Sequence, residues 1–155
     1  MSSEIIKDQF MVTEIEIVYK NPIQLEDRKK IQRPEEAYQL FRDSWDENKI
    51  DLVEQFRIML LDQSCNCLGI SLISTGGIAY CHADPRLIFA TAIKGRATQI
   101  ILAHNHPSGN LTPSEEDKRL TTKLVEGGKF LDIKVADHLI VTRNGYFSIN
   151  SEFGM

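Results

Sequence analysis

His104 and His106 stand two residues apart, and Ser114 and Asp117 follow across the turn-forming run Pro107-Ser108-Gly109-Asn110. Two imidazoles, a hydroxyl and a carboxylate in one short stretch can grip a divalent ion and leave it a coordination position for water. Two neutral imidazoles, one carboxylate and an open fourth position make the usual donor set of catalytic zinc, the metal this mixture favours. The bland alternative is a pair of core or surface histidines next to an ordinary Ser–Asp helix cap. Two histidines on one strand face followed by a fresh carboxylate weigh against it.

The neighbouring elements must aim these groups. Thr98-Gln99-Ile100-Ile101-Leu102-Ala103 is apolar and partly β-branched, so it reads as a buried strand running into His104. Alternate strand residues share a face, which lets His104 and His106 reach one point just past the strand's end. Thr112 fits a helix N-cap, Pro113 the first helical position and Glu115 the return partner of a capping box. On that reading Ser114 and Asp117 are free of capping duty and share one face of the first turn, at the positive end of the helix dipole.

The spacing His104-x-His106, seven residues, then Ser114-x-x-Asp117 resembles the signature of JAMM-type (MPN-domain) metalloproteases. The wording His-Asn-His-Pro-Ser-Gly is similar to the bacterial RadC family within that group. The resemblance runs from about Val53 to the C-terminus and takes in Asp84-Pro85-Arg86 and Asp137-His138-Leu139-Ile140-Val141. It implies an α/β fold, a mixed β-sheet flanked by helices in a three-layer, cytidine-deaminase-like architecture. It implies Zn2+ held by His104, His106 and Asp117, with Ser114 facing the attacking water or the developing oxyanion. It also implies a proton-shuttling base at Glu54, which on residues alone reads as an ordinary strand-edge glutamate. Glu115 and Glu116 are rival bases, although Glu115 is already accounted for as a capping partner.

The implied activity is hydrolysis of a peptide or isopeptide bond, with a peptide or protein conjugate as substrate. For the RadC branch the family implies no particular substrate. The alternative is a nucleic-acid-binding protein of repair or mobile-element biology with a structural or vestigial metal. A nucleobase deaminase would need His-x-Glu and a downstream Pro-Cys-x-x-Cys, and neither pattern occurs in this chain.

Composition bounds the rest. The 155 residues, 42% of them hydrophobic, suit one domain with a sizeable core. No apolar run approaches the roughly 20 residues of a membrane span, and Met1-Ser2-Ser3-Glu4 opens no signal segment, so a cytoplasmic protein away from membranes is expected. Three cysteines fit free thiols in a reducing compartment better than a disulfide framework. Cys65-Asn66-Cys67 and Cys81-His82 match no structural-zinc spacing. A net charge of −4 offers little general attraction to phosphate backbones, and Arg28-Lys29-Lys30-Ile31-Gln32-Arg33 reads as a solvated basic loop, with a nucleic-acid contact as the sharper idea.

The remaining elements are expected as follows. Residues 1–50 form a strand (Phe10 to Tyr19) and a helix from Pro34, an extension packed on the domain at 51–155. The helix carries an apolar stripe of Ala37, Leu40, Phe41 and Trp45. Before Gly69 there is no glycine, so the helix-hairpin-helix pattern of longer RadC relatives is not expected. Strands from Gln55 to Leu61 and Leu68 to Ser74 precede a Thr75-Gly76-Gly77 turn and a short strand to Cys81. A helix capped by Asp84-Pro85 ends near Gly95, and the motif helix stops at Gly127-Gly128. Ile133 to Thr142 and Tyr146 to Ile149 form a hairpin around Asn144-Gly145. His138 is either a core histidine or a support for the site, and Asp137 is a plausible orienting partner for a zinc-bound imidazole.

Overall fold

Strand β3 (Gln99–Asn105) is buried along all but its first residue, because it has a strand on either side and helices on both faces. The computed structural model describes residues 13, 15–16, 18–78 and 81–150. Within them β1 (Gln55–Leu61), β2 (Cys67–Thr75), β3, β4 (Lys134–Thr142) and β5 (Gly145–Ser148) make one sheet in the order β2-β1-β3-β4-β5. Only β3 and β4 are parallel; the other pairs are antiparallel. The helices are α1 (Pro34–Ser44), α2 (Pro85–Lys94) and α3 (Glu115–Phe130). This is the mixed α/β class expected from the sequence. Parallel neighbours need a crossover, which α3 provides, so the helix begins near the carboxyl end of β3 where the histidines lie.

Period-two alternation sorts the strand side chains between two cores. Phe56, Ile58 and Leu60 of β1 and Ile100 and Leu102 of β3 pack with Ile88, Ala92 and Leu124 of α2 and α3. Met59, Leu61, Ile101 and Ala103 pack on the other face with Ala37, Phe41 and Trp45 of α1 and its cap. Continuing the alternation, His104 belongs to the α3 side and Asn105 to the α1 side. In β4 the pairing steps from Ile100↔Val135 to Ile101↔Asp137, which leaves Ala136 as an extra residue. That bulge changes the phase of the strand: Val135 faces the α3 side before it, and His138 does so after it.

Several expectations need correcting. The basic run is no free loop. The Arg28 guanidinium donates to the carbonyls of Cys67 and Leu68 on the edge strand β2, Cys67 N donates to Lys29 O, and Ile31 is buried. An edge strand has unpaired carbonyls, and the run satisfies some of them. Half of the strand expected from Phe10 to Tyr19 lies outside the described residues, and the described half, Thr13, Ile15, Glu16, Val18 and Tyr19, is in no strand. The short strand to Cys81 also runs through residues outside that range. No helix among the described residues is long and apolar enough to cross a membrane.

The α3 helix does not stop at its glycines but runs through both to Phe130. A Cβ on Gly128 would lie 2.3 Å from the carbonyl oxygen of Ile133, whereas one on Gly127 would meet only the Phe89 ring edge at 3.1 Å. Gly128 is therefore there for close approach of the returning chain, which also donates from Ile133 N to Gly128 O at 2.8 Å. Gly128→Ala is expected to destabilise the fold by about 1–3 kcal/mol through overpacking against backbone. Gly127→Ala should cost far less, since helix propensity offsets a small ring adjustment. Thermal or denaturant unfolding of the two variants checks this ordering.

Candidate metal centre

His104 is the second-last residue of β3, buried on the α3 side with its ring stacked on Phe56 at 6.2 Å between centroids. His106 follows the strand end and is held by the turn after it. Its N–H donates to Val141 O, Gly109 N donates back to His106 O, and Gly109 has φ +81, a left-handed conformation that glycine adopts without strain. The ring Nδ1–H of His106 donates to Asn110 O at 2.6 Å, because a carbonyl can only accept. In the neutral ring that leaves Nε2 with a bare lone pair.

The start of α3 differs from the sequence reading. Ser114, not Thr112, is the N-cap, and the capping box is Ser114 with Asp117. Ser114 Oγ accepts from Asp117 N at 3.0 Å while Asp117 Oδ2 accepts from Ser114 N at 2.8 Å. Two overlapping boxes, Thr112-x-x-Glu115 and Ser114-x-x-Asp117, fit the sequence equally. The second sets Asp117 at the third helical position, where its carboxylate is anchored by the cap and also meets both imidazoles. Ser114 and Asp117 are thus engaged in the cap, although the Ser114 hydroxyl proton is not used in accepting from Asp117 N.

Two imidazoles and one carboxylate converge. His104 Nε2 and His106 Nε2 are 3.0 Å apart, Asp117 Oδ1 lies 3.2 Å from the first, and Asp117 Oδ2 lies 3.5 Å from the second. Zinc–ligand bonds of about 2.0–2.1 Å at tetrahedral angles set donor atoms about 3.3 Å apart, so the spacing suits such an ion. Among the described residues, His104, His106 and Asp117 are the one group of histidine, cysteine and carboxylate side chains that could hold a metal ion. Burial works against ionising Asp117, but its contacts with the His104 and His106 rings outweigh it and hold the carboxyl far below the carboxylate range. The hydrogen bond to Asp117 pushes the His106 pKa up against its own desolvation.

Glu54 immediately precedes β1, where its N–H donates to Gly77 O and its carbonyl accepts from Gly76 N. It lines, with His106, Ser114 and Asp117, a cleft of about 880 Å³. Burial raises the pKa of its carboxyl, and the nearby His104 and His106 partly offset the rise. A carboxylate with a raised pKa beside the metal group is suited to taking and returning a proton. The loop that carries Glu54 is clamped by Asn105, whose Oδ1 accepts from Gln55 N at 2.7 Å and whose Nδ2 donates to Ile50 O and Val53 O. Sequence reasoning passed over Asn105. Strand alternation was the available signal, since it turns that amide away from the histidines and toward the loop.

His138 is fully buried, with Nε2 2.8 Å from His104 Nδ1 and Nδ1 2.6 Å from Thr121 Oγ1. Asp137, expected as an orienting partner, does something else. Its carboxylate accepts from Ser148 Oγ, His138 N and Asn150 N and so ties β4 to the end of β5. The bulge turns His138 rather than Asp137 toward the histidines. Cys65, Cys67 and Cys81 are free thiols; Cys81 lies on the cleft with Sγ 3.1 Å from Ser74 Oγ, and burial pushes its pKa up.

Residues 31–155 match the family described as the RadC-like JAB domain. The chain is similar to a "UPF0758 protein" of Flavobacterium johnsoniae, 42% identical over 99 residues, 64% of this chain and 43% of the relative. It is similar to namesakes in Syntrophomonas wolfei, 37% identical over 125 residues, 80% of this chain and 53% of the relative, and in Methanosarcina mazei, 36% identical over 127 residues, 82% and 54%. The chain thus spans about half the length of the curated relatives it matches.

Desolvation, with help from His104, holds the His138 pKa well below its ordinary value of 6.5. Below that pH an unfolded chain takes up a proton that the folded chain refuses, so stability is present above pH 6.5 and lost as pH falls toward the folded value. Losing such a site over one pH unit below the unfolded pKa costs on the order of 1 kcal/mol. His138→Gln removes this titration. The stability difference between wild type and variant, measured metal-free by denaturant unfolding, should therefore move by about that amount in the variant's favour between pH 7.5 and pH 5.5.

Proposed function

The chain belongs to the RadC-like JAB domain family, and on that footing we propose that it is a zinc-dependent hydrolase of peptide or isopeptide bonds. The observation that carries the proposal is the convergence of His104 Nε2, His106 Nε2 and the Asp117 carboxylate, which sets one oxygen 3.2 Å from the first nitrogen and the other oxygen 3.5 Å from the second, beside a cleft. When bound, zinc supplies Lewis acidity that acidifies a water and polarises the scissile carbonyl.

The chain's own residues do the remainder. Glu54 accepts the proton from the attacking water as the C–O bond forms, then returns it to the amine nitrogen as the C–N bond breaks. Half-burial favours that role, because it brings the carboxyl pKa upward toward the operating range. Ser114 Oγ stands at the helix start with its proton free to donate to the tetrahedral oxyanion, aided by the positive end of the α3 dipole. The same dipole favours the Asp117 carboxylate. The substrate we envisage is an extended peptide or a lysine-linked conjugate laid in the cleft.

Elemental analysis of the purified chain should find one zinc, and the wild type should cleave members of a peptide and isopeptide-conjugate library. Glu54→Gln should keep the zinc and lose roughly a hundredfold or more of the cleavage rate. Ser114→Ala should lose about tenfold to a thousandfold of the rate and also weaken the cap by about 1 kcal/mol. Full zinc loading without cleavage of any library member would overturn the hydrolase reading.

A further inference from the structure

A metal-binding imidazole must present a bare nitrogen to the ion, and the chain decides which nitrogen of His104 is bare through two residues that are not themselves in the metal group. Thr121 lies one helical turn after Asp117, and its hydroxyl donates to Asp117 O at 2.7 Å. The carbonyl has no proton to give, so the single hydroxyl proton is used there. Thr121 Oγ1 is also 2.6 Å from His138 Nδ1 and can only accept from it, which puts the His138 proton on Nδ1. His138 Nε2 is then the acceptor in its 2.8 Å contact with His104 Nδ1. His104 must therefore carry its proton on Nδ1 and leave Nε2 bare, 3.0 Å from His106 Nε2 and 3.2 Å from Asp117 Oδ1.

We propose that Thr121 and His138 are positioning residues that fix the His104 tautomer for metal binding, in an ordered chain from the Asp117 carbonyl through the Thr121 hydroxyl and the His138 ring to His104. A ligand histidine usually donates to a carboxylate, carbonyl or water, any of which accepts whatever the conditions. Here the acceptor is a second imidazole, which could equally present an N–H. The threonine removes that ambiguity. Burial of His138 and of its contact with His104 excludes water as a substitute acceptor. The helix contributes twice to the site, through its first-turn carboxylate and, one turn on, through a hydroxyl that acts at a distance. The proposal rests on His104 being a metal ligand.

The test combines nitrogen NMR of histidine side chains with zinc binding measured by competition against a chelator. In wild-type protein His138 should be neutral, protonated at Nδ1 and bare at Nε2. Thr121→Val keeps the side-chain shape but removes the acceptor, which frees His138 to turn its N–H toward His104. Zinc affinity should fall about tenfold to a hundredfold. Thr121→Ser restores the hydroxyl and should bind zinc within about threefold of wild type. A His138 ring protonated at Nε2, or a folded Thr121→Val protein that binds zinc as tightly as wild type, would overturn the proposal. If Thr121→Val does not fold, the wild-type nitrogen spectrum still decides. A wild type that takes up no zinc would sink the hydrolase reading instead, and the spectrum would still judge the tautomer.

Discussion

Two imidazole nitrogens with bare lone pairs repel each other 3.0 Å apart with a carboxylate oxygen beside them, and a cation among the three would relieve that repulsion. That electrostatic constraint governs the rest of the architecture. In its absence a proton must serve, which is why His106 holds its proton more tightly than usual and Asp117 resists protonation. A divalent ion does the same task with more charge and a defined geometry. Each surrounding hydrogen bond can be read as keeping protons off the two Nε2 atoms: Asn110 O takes the proton of His106, and His138 takes that of His104.

The fold meets this constraint with ordinary parts. A parallel β3–β4 pair forces a helical crossover, which returns the helix N-terminus to the carboxyl end of β3. There the capping box, the macrodipole and the metal group all draw on the same Asp117 carboxylate. The two faces of β3 divide the work: His104 faces the candidate metal group, and Asn105, one residue on, clamps the loop that bears Glu54. A single bulge at Ala136 brings His138 into line, so one inserted residue in β4 turns that ring toward α3 and the site.

What was legible in the sequence follows from periodicity. The strand period placed His104 and His106 toward one point, and the resemblance supplied Glu54, which composition would have left as surface. The helix start was misread because two capping boxes overlap by two residues, and only the tertiary contacts of Asp117 choose between them. The α3 glycines read as a stop because helix ends favour glycine, whereas Gly128 answers to the Ile133 carbonyl, a contact that local sequence does not encode. Thr121 and the Ala136 bulge were invisible for the same reason: their roles exist only once β4 lies against β3 and α3 lies over both. Asp137 drew attention by adjacency to His138, but the bulge sends its carboxylate to Ser148 instead.

The most direct measurement is X-ray absorption spectroscopy at the zinc edge on protein loaded with one equivalent of the metal. The account predicts a shell of about four nitrogen and oxygen neighbours near 2.0–2.1 Å, with the multiple-scattering pattern of two imidazoles and no sulfur. A shell containing sulfur near 2.3 Å, drawing on Cys81 or its fellow thiols, would contradict it, as would a single imidazole.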